Sequence, residues 1–132
     1  MDIVIDTSAL VAVILGEPER DAIISVTSGQ TLIGPGSIPW EVGNAFTAML
    51  KQRRIEVAGA QTGLEIFDSI PVRYVDIDMA NVVAIAARVN TYAYDAYFLD
   101  CAARYRAPLL TLDRALRRAA EGLGIRVVDL EV

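Results

Sequence analysis

Short apolar runs, each stopped by turn residues or by an acid, alternate along this chain with longer stretches of helical period. The runs are Ile3–Ile5 ending at Asp6, Thr31–Ile33 closed by Gly34-Pro35-Gly36, one contained in Val72–Ile77, Pro108–Thr111 and Ile125–Leu130. Runs of this kind suit strands buried on both faces, as in a parallel sheet. Between them, Val42, Ala45, Phe46, Met49 and Leu50 fall at i, i+3, i+4, i+7 and i+8. Val82, Ile85, Ala86 and Val89 repeat that spacing, as do Leu116, Ala119, Ala120 and Leu123, and Val57, Ala60, Leu64 and Phe67 follow it more loosely. Each set makes one apolar helix face. The segment Asp95–Tyr105 is apolar on more than one side and reads as a buried helix. Pro39 suits a first helical position, and Gly122 and Gly124 end the helix that follows Asp113. Strands alternating with helices predict an α/β fold with a mostly parallel sheet covered on both faces.

Composition narrows the chemistry. The chain has 132 residues, 54% of them hydrophobic, which predicts one ordered domain over residues 1–132. Its longest apolar run, Ala9–Leu15, is far short of the ~18 residues a membrane span needs. No basic leader with a cleavage site is read at the start. A single cysteine, Cys101, excludes an internal disulfide framework and suits a reducing, cytoplasmic setting. The chain has no histidine. That removes Ser-His-Asp and Cys-His catalysis and His-ligated zinc together. Acid–base or metal chemistry falls to the 17 carboxylates. A net charge of −5 argues against non-specific nucleic-acid binding, although Lys51, Arg53 and Arg54, and Arg104, Arg106, Arg114, Arg117 and Arg118, form two basic clusters. These are either solvated helix ends or a local basic rim.

In parallel sheets, ligands bind beyond the carboxyl ends of the strands, at the point where strand order reverses. The acids just past each strand are therefore the candidate site. Asp6 follows the first run, and Asp113 follows the fourth in Leu110-Thr111-Leu112-Asp113. Glu41 lies in the first turn of a helix over Pro39–Gln52, and Asp95 opens the helix Asp95-Ala96-Tyr97-Phe98-Leu99. Asp6, Asp95 and Asp113 also suit plain helix N-caps, and Glu41 suits a helix N-terminus through the macrodipole alone. If the acids meet, their mutual repulsion calls for a cation, and hard oxygen donors select Mg²⁺ or Mn²⁺.

The string Asp2–Leu15, the segment Pro39-Trp40-Glu41-Val42-Gly43-Asn44-Ala45, the segment Tyr94–Leu99 and the segment Pro108–Leu116 together resemble a PIN domain. More narrowly, they resemble the VapC-type ribonuclease toxins of toxin–antitoxin modules. The resemblance runs from residue 1 to about residue 130. It implies a three-layer α/β/α sandwich around a five-stranded parallel sheet and an acidic Mg²⁺ site. Asp6, Glu41, Asp95 and Asp113 match the family's four acids in order. Thr7 or Ser8 matches the hydroxyl after the first acid, and Thr111 matches the threonine two residues before the last. The resemblance further implies an Mg²⁺-dependent endoribonuclease, with an RNA substrate, a cognate antitoxin protein and a homodimeric state. A DNA substrate or a non-catalytic binding module are the other readings.

Other residues carry expectations of their own. A phosphoacceptor domain would want a late lysine, and the only lysine is Lys51. A dehalogenase-like phosphatase would want a second acid where Ser8 stands. Asp100 is a rival ligand but is expected to form a helix-surface pair with Arg104. Asp76 and Asp78 are expected to bracket a strand end and cap the next helix. Cys101 is expected in the core. Trp40 is expected to pack beneath the site, with base stacking as its other role. Tyr92, Tyr94 and Tyr97 either line a groove or sit in a dimer interface. Arg104, Arg106 and Arg114 are the candidate rim contacts to RNA.

Overall fold

The structure, a computed structural model, describes residues 1–131. Its elements in chain order are β1 (Asp2–Ile5), α1 (Thr7–Leu15), α2 (Arg20–Thr27), β2 (Thr31–Pro35), α3 (Ile38–Lys51), α4 (Val57–Ser69), β3 (Val72–Val75), α5 (Met79–Val89), α6 (Ala93–Tyr105), β4 (Leu109–Leu110) and α7 (Arg114–Gly122). The sheet is parallel throughout, in the order β3-β2-β1-β4. The chain steps outward from β1 to β2 to β3. It then crosses back to place β4 on the free side of β1. Strand order therefore reverses between β1 and β4, and the carboxyl ends of these two strands face the crevice where an α/β sheet holds its ligand.

Right-handed crossovers in opposite directions put their helices on opposite faces of the sheet. On one face α2, α3 and α4 pack on α1. The seven-residue run Ala9–Leu15 lies in α1, and Ala9, Leu10, Val11, Ala12 and Ile14 are buried. A helix apolar nearly all round needs neighbours on several sides, and α1 has them. Gly63 of α4 permits part of this packing, because a Cβ there would sit 2.8 Å from Phe46 Cζ and 3.4 Å from Ile14 Cγ2. On the other face α5 packs on α6, and α6 lies across β2, β1 and β4. Val4, Ile5, Leu109 and Leu110 at the centre are no more than 1% exposed. Each such side chain contributes about 1.5–3 kcal/mol, and together they fix the backbone from which the site residues emerge.

The elements depart from the sequence reading in four places. The expected fifth strand over Ile125–Leu130 is not a strand. A single parallel bridge joins Leu109 to Val127, closed by the Leu109 and Val128 amides at 2.9 Å each. The ladder stops because β4 itself ends early: the Leu112 amide turns away to donate to Ser8 Oγ at 3.0 Å. Gly34 and Pro35, read as a turn, extend β2 and pair with Tyr74 and Val75. The α2 helix was not foreseen, because Ile23 is its only buried residue and one residue carries no period. The helix α6 begins at Ala93, two residues before Asp95. Among the described residues no helix is long and apolar enough to cross a membrane.

Candidate active site

Asp6 leaves β1 in extended backbone, so its carboxylate turns back over the first turn of α1. Its Oδ1 accepts from the Ala9 amide at 3.0 Å and from Ser8 Oγ at 2.7 Å. Its Oδ2 accepts from Thr111 Oγ1, across the sheet at the end of β4, at 2.5 Å. Asp6 is 4% exposed. Burial pushes its pKa up to about 6; its three hydrogen bonds pull the other way, and the charge of Asp113 adds to the rise. Thr111 Oγ1 also accepts from the Asp113 amide at 3.0 Å, and Asp113 caps α7 by accepting from the Leu116 amide at 3.0 Å. The capping role expected for Asp6 and Asp113 is thus present, and in Asp6 it coexists with near-complete burial.

Glu41 sits in the first turn of α3, where Ser37 donates to its Oε2 at 2.6 Å and Thr7 to its Oε1 at 3.3 Å. Its pKa is raised chiefly by burial, against these two hydrogen bonds, with the charges of Asp6 and Asp95 adding to the rise. Asp95 lies in the first turn of α6 and accepts from Thr91 Oγ1 at 2.9 Å. It is not the cap of that helix, which begins after Tyr92. Electrostatically the four acids form one chain, Asp113 to Asp6 to Glu41 to Asp95. Ser37 and Thr91 were missed in the sequence, yet each stands four residues before the acid it holds. A hydroxyl at that distance from an acid in a first helical turn was the available signal.

The acids do not share a single pocket. Glu41 lines a hollow with Thr7, Trp40, Asn44, Ala45 and Tyr94. Asp95 opens onto a second with Thr91 and Arg118, and Asp113 onto a third with Arg114 and Arg117. Among the described residues no three acidic, cysteine or histidine side chains form a ready-made metal-binding group. The physical reason is local: each acid is tied to hydroxyl or amide donors of its own neighbourhood, and like charges keep apart. Even so, the donor chemistry fits a hard divalent cation. All donors are oxygens. None of the four acids takes part in an ion pair among the described residues. Asp6 has only neutral hydrogen-bond donors to offset the desolvation of its charge.

Four neighbouring expectations are corrected. Asp100 does pair with Arg104 as expected, but as a buried acid and not on the helix surface. It is 1% exposed and accepts from the Asp78 amide at 2.9 Å and from Asn81 Nδ2 at 2.5 Å, with Arg104 Nε 3.8 Å away. Trp40 does not pack beneath the site but is 75% exposed. Arg104 is committed to Asp78 and Asp100. Arg106 lines a hollow with Ala107 and Arg126 that contains none of the four acids, whereas Arg118 shares a hollow with Asp95, and Arg114 and Arg117 share one with Asp113. Asp78 caps α5 and Cys101 is buried, both as expected.

A sequence model of the PIN domain matches residues 3–122. The chain belongs to the PIN-domain family. The PIN fold here is similar to PAE2754 from Pyrobaculum aerophilum, at 23% identity and a TM-score of 0.72, over 92% of this chain and 81% of that one. It is also similar to VapBC2 from Rickettsia felis, solved bound to a DNA fragment from their promoter. That match has 14% identity and a TM-score of 0.66, over 99% of this chain and 100% of that one. A toxin–antitoxin complex from Klebsiella pneumoniae matches at 18% identity and a TM-score of 0.60, over 98% and 99% of the two chains. No curated protein matches the chain in sequence.

Proposed function

We propose that this PIN-domain protein is a divalent-metal-dependent endoribonuclease and the toxin of a toxin–antitoxin pair. The observation that carries the reading is Asp6. A carboxylate 4% exposed, without a cationic partner among the described residues and coupled to the charges of Asp113 and Glu41, sits where the strand order reverses. A buried carboxylate that feels like charges at such a place is retained for function more often than for stability.

Asp6 and Asp95 would be the central ligands of Mg²⁺, or of Mn²⁺ in its place, with Glu41 and Asp113 completing the set. Such an ion supplies Lewis acidity toward a phosphoryl oxygen and toward water. The chain's own residues supply orientation. Ser8, Thr111 and the Ala9 amide hold Asp6 in one rotamer, and Ser37 and Thr7 do the same for Glu41. Glu41, whose pKa burial raises, would with Asp113 orient the attacking water. RNA as substrate rests on the VapC-like motifs. An antitoxin partner is supported by the likeness of fold to the Rickettsia felis and Klebsiella pneumoniae proteins, and a homodimer goes with the same reading.

The test is incubation with a mixed pool of structured and single-stranded RNA in Mg²⁺, in Mn²⁺ and in EDTA, beside folded Asp6→Asn. Cleavage that needs metal and disappears in the variant is the expected result. Cleavage retained in EDTA or by Asp6→Asn overturns it, and cleavage of DNA alone replaces the substrate.

A further inference from the structure

Both acids carried on first helical turns are preceded by an exposed aromatic residue: Trp40 before Glu41 in α3, and Tyr94 before Asp95 in α6. Trp40 is 75% exposed and Tyr94 57%. The two helices come from opposite faces of the sheet, yet both aromatics line the same hollow of about 470 Å³. Glu41, one of the four candidate acids, and Thr7 belong to that hollow as well. Asn44, one helical turn beyond Trp40, adds an amide to its wall. Tyr97, one turn along α6, stacks on the Tyr94 ring in a T-shaped pair, at 5.6 Å between centroids and 86° between planes.

We propose that this hollow is a base-stacking subsite, in which Trp40 and Tyr94 hold an unpaired nucleobase beside the phosphodiester handled by the acids. The inference rests on the nuclease reading and adds to it the side chains that grip the base beside the cut. A base in a duplex has both faces covered by its neighbours and cannot present one to Trp40. Asn44 can both donate to and accept from a base edge, so it is the residue placed to discriminate among bases. An apolar peptide side chain would find an aromatic wall here too, but it would leave the Asn44 amide in that wall facing it without a partner.

Trp40 is the only tryptophan, so its emission reports on this hollow alone. The experiment uses the full chain in Mg²⁺, checked as folded by melting temperature. Short single-stranded RNA homopolymers are titrated against Trp40 emission, followed by the same oligonucleotides carrying abasic positions and by an RNA duplex. Cleavage kinetics of wild type, Trp40→Phe, Trp40→Ala and Tyr94→Ala run in parallel. The expected result is quenching by the single strands only. With it, KM should rise about 10–100-fold in Trp40→Ala and Tyr94→Ala, and Trp40→Phe should restore most of the affinity. Cleavage by wild type with an unchanged KM in both alanine variants overturns the subsite and leaves the nuclease standing. No cleavage or binding of any nucleic acid by wild type overturns both. Loss of self-association or of a co-expressed protein partner in Trp40→Ala, with RNA affinity intact, makes the hollow a protein-docking surface and overturns the proposal.

Discussion

Asp6 and Asp100 are the two buried aspartates among the described residues, at 4% and 1% exposure, and they serve different ends. Asp100 accepts from the Asp78 amide that starts α5 and from Asn81 on the same helix, and it has the guanidinium of Arg104 beside it. Its charge is compensated within the chain, and its bonds pin α5 to α6. Asp6 accepts only from hydroxyls and one amide, and the charge that acts on it, that of Asp113, is of its own sign. Burial by itself therefore does not mark a functional carboxylate. The mark is burial for which the chain supplies hydrogen bonds but no countercharge.

The comparison is broken most directly by removing each charge in turn. Asp6→Asn keeps an acceptor for the Ala9 amide and is expected to lower cleavage on the order of 10⁴-fold, as loss of a principal catalytic group does. A rate within tenfold of wild type would remove Asp6 from the site. The same variant should be more stable than wild type in EDTA. The folded state holds the Asp6 proton up to about pH 6, against a usual value of 3.8. Wild type therefore loses stability as pH rises through that window, by about 3 kcal/mol once Asp6 is ionised. Urea melts at pH 4 and pH 8 should show the gap between variant and wild type widening with pH, and Mg²⁺ should narrow it by stabilising wild type alone. A gap that shrinks with pH would contradict the assignment.

Asp100→Ala should act the other way. It strands the Asp78 amide and Asn81, at a cost of about 2 kcal/mol, while cleavage per folded molecule stays within about twofold. Urea denaturation and active-fraction kinetics read the two effects separately. A catalytic loss larger than the unfolded fraction explains would tie Asp100 to the site. Thr111→Val sharpens the comparison from the side of the hydroxyls. It deprives Asp6 of its Oδ2 donor and the Asp113 amide of its acceptor. Activity should fall about 10-fold, and the acidic limb of the pH–rate profile should move to higher pH, because a hydrogen bond that lowers the Asp6 pKa is gone. An unshifted limb would show that Asp6 does not set that limb.

Much of this was legible along the chain. The runs Ile3–Ile5 and Thr31–Ile33 became strands because apolar residues without helical period must be buried on both faces. The acids that follow strands landed at the carboxyl edge because a parallel sheet sends every strand end to the same side. What was misread was cooperative or long-range. Ile125–Leu130 has the composition of a strand, but β4 is too short to pair with it beyond Val127. Asp100 and Arg104 have the spacing of a surface pair, but α6 lies against the sheet and α5, and this buries the acid. Trp40 was expected to pack beneath the site, but its position on α3 leaves it 75% exposed.

The sequence by itself determined the fold class, the absence of histidine chemistry and the identity of the acids that edge the sheet, since each of these depends on local pattern and composition. Only the tertiary structure decided that Thr111 reaches Asp6 across 105 residues, that Asp6 is buried without a countercharge, and that Trp40 and Tyr94 share one hollow. These are properties of groups far apart in the chain. Packing brings them together, and the resulting low-dielectric surroundings set how strongly each charge is felt.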